Sequence, residues 1–194
     1  MVMVGMCPVE VERRLRAGEL RCPCGGGLTP WGYARRRVVR GVGVLRPRRA
    51  RCGRCLVTHV LLAVSCLLRR ADGVDVIGAA LTRKAGGEGH RPVAAALGRP
   101  ASTVRGWLRV FGRNAAGVRA VLVGLLVQVD PSTGPPPVQG GALADAVEVV
   151  GSLGSAVRRR LGVVGAVSAW QAAAGVTGGL MLSPARAWEP INTN

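Results

Sequence analysis

Residues His90–Arg109 read HRPVAAALGRPASTVRGWLR, and this stretch decides the fold. Arg91–Leu97 has the apolar spacing of a short helix. Gly98 supplies the left-handed backbone of a sharp turn, which a side chain would resist. Pro100 pre-sets φ for the first turn of a second helix, predicted over Ala101–Phe111. Ala94 and Val104 flank the turn at the spacing two closely crossing helices need. Val93 and Leu97 on the first helix, with Val104, Trp107, Leu108 and Phe111 on the second, predict a shared buried face. Ser102, Arg105, Gly106 and Arg109 are left on the opposite face, with Thr103 and Arg99 beside them. This is the pattern of a helix-turn-helix, whose second helix enters the DNA major groove. The bland alternative is a helical hairpin in a small core.

The flanks extend that unit. Val74, Ile77, Leu81 and Ala85 mark an amphipathic helix that would close a three-helix core. Val118–Val129 predicts a further apolar helix. It must bury itself in its own core, against the C-terminal part, or against a second copy; the last option makes a homodimer an expectation. A Pro/Gly-rich linker is predicted over 130–141. Beyond it, Ala142–Arg160 and roughly Val163–Gly175 predict a neutral helical hairpin.

The chain of 194 residues carries 27 basic and 10 acidic side chains, for a net charge of +17. Lys84 is the only lysine, so arginine usage partly reflects a GC-rich genome. Codon bias does not explain placement, however. Residues 1–70 hold 15 basic and 3 acidic residues, whereas residues 130–194 hold 4 of each. A polyanionic partner accounts for that gradient. No export signal is predicted in MVMVGMCPVEVERR, so the cysteines are expected to stay reduced in the cytoplasm. Leu161–Leu182 lacks charge and has the length of a membrane span, but its many Gly and Ala residues argue against insertion. No membrane partner is expected.

Residues 21–58 change character. Cys22 and Cys24 (CPC) and Cys52 and Cys55 (CGRC) bracket short Val, Tyr and Trp segments that suit a β-ribbon. Two close pairs at this distance predict a tetrahedral zinc site on Cys22, Cys24, Cys52 and Cys55. The CPC pair is one residue short of the usual gap, and Gly25–Gly27 would have to accommodate it. The alternatives are a fourth ligand from Cys7 or His59, or no metal at all. Cys66, in an apolar run, is predicted to be a buried small hydrophobe. Arg46, Arg48, Arg49 and Arg51 in the ribbon are expected to meet phosphates, with Tyr33 nearby and Trp31 packed in the ribbon core. Pro8–Ala17 predicts a short helix ended by Gly18. Val57–Leu68 is expected to turn helical in its later part.

The order of these parts resembles the N-terminal region of insertion-sequence transposases: CPCG…CGRC, an arginine-rich strand, then VAAALGRPASTVRGWL. The chain also resembles short actinobacterial proteins that join a zinc ribbon to a helix-turn-helix, through CPVEVERRLRAGELRCP, WGYARRR and RPRRARCGRCLVTHVLL. The resemblance implies DNA binding at mobile-element ends or promoters. It implies no reaction. Transposases of this kind resemble one another in a later nuclease domain with three converging acids, and no frame for such a domain follows residue 60.

The expected architecture is therefore mainly α with a small β zinc ribbon. Its parts are an N-terminal helix (1–20), the ribbon (21–58), a helix-turn-helix domain (59–129), the linker and a C-terminal helical hairpin (142–194). The expected function is sequence-specific binding of double-stranded DNA with Zn2+ and without catalysis. A truncated or partner-dependent transposase, and a zinc-ribbon RNA-binding or interaction module, are the alternatives.

Overall fold

The computed structural model describes residues 1–161 and 167–183. The chain divides into two compact units, 1–73 and 74–194. Helices make up most of the second unit, whereas the first holds the strands and a single helix.

In unit 1, β1 (Val2–Val4), β6 (Thr58–Ala63), β5 (Arg48–Cys52) and β2 (Leu28–Tyr33) form one sheet in that order. β6 runs parallel to β1 and antiparallel to β5, and β2 is an outer strand paired with β5. β3 (Arg37–Val39) and β4 (Gly43–Leu45) form a separate hairpin. α1 (Pro8–Arg16) is where its Pro8 start and dipole-matched charges predict it, and Gly18 behind it has φ +68°. Val11 and Leu15 of α1 join Leu28, Ala50, Cys52 and Leu61 in a small core.

The segment expected to turn helical is the strand β6 followed by turns. A short apolar run buried on both sides has no period that separates strand from helix, and pairing with two neighbours decided it. The expected N-terminal helical segment also contains β1, whose three residues give no period of their own.

In unit 2, α2 (Val74–Ala85), α3 (His90–Leu97) and α4 (Ala101–Val129) follow one another. Gly98 ends α3 at φ 60°, ψ 42°, the left-handed conformation its position predicts. The two predicted helices over 101–129 are one helix of 29 residues, about 43 Å long. Gly112 and Gly117 lie within it without breaking it. Their helix penalty, about 1 kcal/mol each, is outweighed by the buried stripe Val104, Trp107, Phe111, Ala115, Val118, Leu122 and Leu126.

α5 (Ala142–Leu161) packs along α4, and α6 (Ala169–Val176) packs on α5 and α2. The C-terminal helices thus complete the core of α2–α4 and are not a separate hairpin. The apolar stripe that raised the homodimer expectation is covered within the chain. Gly78 admits the Trp170 ring against α2, where an added Cβ would sit 2.3 Å from it. Asn114, buried in the stripe, donates its side-chain amide to the carbonyls of Met181 and Ser183.

The last helix was expected from Val163, but residues 162–166 lie outside the described residues, as does the chain end NTN. Past Leu161, which ends α5, the charge-free stretch forms only the eight-residue α6 and turns where it is described. By length and composition, α4 is the one described helix able to cross a membrane.

Candidate metal centre and basic faces

The CGRC knuckle follows directly from β5. Cys52 ends that strand, and its Sγ accepts the backbone N–H groups of Cys55 and Arg54 at 3.4 and 3.3 Å. Those two donors draw the Cys52 thiol down to about 6, in spite of its burial.

The short CPC pair is accommodated by the glycines behind it. Gly25, at φ +83°, donates to the Cys22 carbonyl, and the Gly26 carbonyl accepts the Cys22 N–H at 2.9 Å. A Cβ on Gly26 would sit 2.7 Å from the Cys52 sulfur, so only glycine lets the two knuckles meet.

The four sulfurs lie within 4.8 Å of one another. Cys22 and Cys55 are 3.7 Å apart, and Cys24 and Cys52 are 3.5 Å apart. A tetrahedron with metal–sulfur bonds of about 2.3 Å has edges of about 3.8 Å. The donor set therefore fits a tetrahedral thiophilic ion. For Cys22 the Cys24 N–H pulls the thiol down, but burial and the neighbouring sulfurs push it up to about 12. Metal binding would displace the protons these sulfurs share. Among the described residues, no other group of three or more Cys, His, Asp or Glu side chains converges in this way.

Of the two alternative ligands, Cys7 is exposed at the start of α1 and outside the group. His59 is buried beside it. Its Nδ1 lies 2.9 Å from the nitrogen of Met1 and its Nε2 lies 3.2 Å from the Cys22 sulfur. Burial holds its pKa below the ordinary value. The Met1 nitrogen is a donor, so Nδ1 accepts and the ring proton sits on Nε2, directed at Cys22. His59 is thus a hydrogen-bond donor to one of the four clustered sulfurs, the kind of partner that would fix its orientation toward a metal. Its place on β6 opposite Ala50 puts it there, and neither strand nor register was legible in the sequence. Cys66 is buried in a second small cluster, as its apolar surroundings predict.

The basic side chains of unit 1 are less free than their sequence suggests. Glu10, Glu12, Glu19 and Asp72 all pair with arginines. Arg48 is largely buried, bound to Glu12 and to the Gly32 carbonyl, and stacked 4.6 Å from the Tyr33 ring centroid. It does not present itself to a phosphate. Arg46 stands exposed over the same ring, and Arg51 stacks on Trp31 at 4.7 Å while donating to the Leu56 carbonyl. Arg49 is half-buried. Trp31 is 49 % exposed, not packed in the core. Alternation along β2 puts Trp31 with Thr29 on the face away from Ala50 and Cys52. A bulge follows it: Pro30 pairs with Ala50 but Tyr33 pairs with Arg48, leaving one extra residue on β2, with Gly32 at φ +90°.

In unit 2, Ser102, Arg105 and Arg109 are exposed on α4, opposite the buried Val104, Trp107 and Phe111. Thr103 and Gly106 are half-buried. Arg99 folds back to donate to the Leu97 and Gly98 carbonyls, closing the turn. Arg113 extends the exposed row by one helical turn. The i, i+4 spacing from Arg109 signals it once the helix runs past Phe111. No known family model, characterised protein or solved structure matches the chain.

Proposed function

We propose that the chain is a sequence-specific double-stranded DNA-binding protein whose unit 1 is held by one zinc ion on Cys22, Cys24, Cys52 and Cys55. The observation that carries the DNA reading is the turn at Gly98 leading into α4, whose first turns bury Val104, Trp107 and Phe111 and leave Ser102, Arg105 and Arg109 outward. Neither Arg105 nor Arg109 has a carboxylate or carbonyl partner among the described residues. A guanidinium so placed can meet both acceptors of a guanine edge. Arg113 continues the row to where the duplex backbone would run. The zinc ion would supply no reaction; its role is to fix the two knuckles of a small, highly charged unit. We take the likeness to the DNA-binding region of insertion-sequence transposases in the same sense, as a regulator or accessory protein acting on the nucleoid.

The test is affinity against salt, for a site obtained by genome-wide mapping and for random duplex. Arg105→Ala is expected to cost about 1–3 kcal/mol on the mapped site and less on random DNA. Arg49→Ala is expected to weaken both duplexes alike and to reduce the salt slope by about 0.9. Equal loss on both duplexes from Arg105→Ala, with site preference lost in Arg49→Ala, would reverse the two roles. No duplex preference at all would end the reading.

A further inference from the structure

The outer strand β2 carries the only two aromatic side chains of unit 1, and neither is in the core. Trp31 is 49 % and Tyr33 52 % exposed. Cross-strand partners in a sheet share a face. Tyr33 pairs with Arg48, on the face that holds the buried Ala50 and Cys52. Thr29 pairs with Arg51 on the other face, and it is Arg51 that stacks on Trp31. The bulge at Gly32 therefore turns the two rings to opposite faces of one outer strand. Without it, residues 31 and 33 would share a face by simple alternation.

The two rings are differently placed. Tyr33 has two guanidiniums within 5 Å, Arg46 at 4.9 Å and Arg48 at 4.6 Å. Trp31 has one, and that one is anchored. Arg51 is fixed by its bond to the Leu56 carbonyl, and its own carbonyl accepts the Thr29 hydroxyl at 3.2 Å. An exposed indole with a held cation on it, at the free edge of a strand, in the most basic part of the chain, is a stacking position. A large exposed apolar side chain here has no packing role to explain it. Charge complementarity selects the occupant: Arg35, Arg36 and Arg54 are exposed in the same unit, and none of them pairs with a carboxylate. Stacking on an indole requires a base that is not paired and stacked within a duplex.

We propose that Trp31, backed by Arg51, is a binding site for an unpaired base of single-stranded DNA. The proposal rests on the DNA reading above for its choice of polymer, and adds a second substrate form to it. Its consequence is a protein that prefers DNA with a single-stranded tail or a melted stretch over blunt duplex, with Trp31 responsible for the difference.

The experiment uses the full-length, zinc-loaded protein and three probes: an oligothymidine, a blunt mapped duplex, and the same duplex with a thymidine tail. Trp31→Ala is expected to weaken oligothymidine binding roughly ten- to a hundred-fold and to remove the advantage of the tail, leaving blunt-duplex affinity unchanged. Trp31→Phe, which keeps a ring, should retain most of the wild-type affinity. Because Trp31 is exposed, zinc content and far-UV circular dichroism should match wild type in both variants. Failure of the wild type to bind oligothymidine, an unchanged affinity in Trp31→Ala, or equal losses on blunt duplex would each overturn the proposal. Tighter binding of oligouridine than of oligothymidine would overturn the choice of DNA. Arg105→Ala separates the two readings: it should lower blunt-duplex affinity and leave oligothymidine binding intact.

Discussion

Unit 1 and unit 2 solve the problem of stability by different means. Unit 2 buries one long stripe of α4 under α5, with α2, α3 and α6 closing the ends, and its core side chains include Phe111, Ile77, Leu81, Leu122, Leu126 and Leu153. Unit 1 has two small apolar clusters and a surface dense in arginine. Its carboxylates are all committed to arginines, but solvent screens the exposed pairs, which add little stability. The Arg40–Asp72 and Arg48–Glu12 pairs are the exceptions in burial, since Asp72 is nearly inaccessible and Arg48 largely buried. A unit of this size with so small a core needs a cross-link, and the convergent cysteines are where one fits. Unit 2 can leave one face of α4 bare because the other face is so well buried. Unit 1 can carry many cations because a metal, rather than apolar area, would hold its strands together.

The largest expected effect falls on unit 1 alone. Removing metal with a strong chelator should remove on the order of 10 kcal/mol of folding free energy. Amide-exchange protection should collapse in β2, β5 and β6 and persist in α4 and α5. Protection in β5 that survives complete metal removal would show that the apolar clusters suffice, and the contrast between the units would fail.

A smaller and opposite effect is expected from Phe111→Ala. Phe111 is fully buried and meets the Trp170 ring edge-on at 6.2 Å, so the truncation should cost about 3–5 kcal/mol. Helical melting should shift down while the metal content stays at one ion per chain. Loss of metal together with the helices would mean that the units do not fold separately.

The smallest effect sharpens the contrast through pH. Asp130 follows α4 and accepts hydrogen bonds from Ser132, Arg159 and Thr133, which hold its carboxyl well below the usual 3.8. A carboxylate depressed in the folded state binds its proton more weakly there than in the unfolded chain. Its contribution is therefore complete above about pH 4 and is lost as pH falls through the folded-state value. Thermal melts of the helices, taken downward from about pH 5, should lose this increment in the wild type and show none of it in Asp130→Asn. Identical acid profiles for the two proteins would remove Asp130 from the account of unit 2.

Much of the local structure was legible along the chain. The helix starts at Val74 and Ala101, the turn at Gly98 and the helix α1 followed from spacing, proline and glycine, because those signals act within a few residues. The four cysteines were legible as a set because metal ligands come in close pairs, and the structure brings that set together. The outward Ser102, Arg105 and Arg109 followed from helical period alone.

What the tertiary structure decided lies where the deciding partner is remote in sequence. β6 is a strand because β1 and β5 lie on either side of it, and nothing within residues 57–68 states that. α4 stays continuous through its glycines because α5, from beyond the linker, covers its stripe. His59 meets Cys22 only through sheet register. Arg48 is taken out of reach of a phosphate by Glu12, 36 residues away in the chain. A single bulge at Gly32 carries Tyr33 to the opposite face from Trp31, because in a strand one extra residue reverses every side chain that follows it.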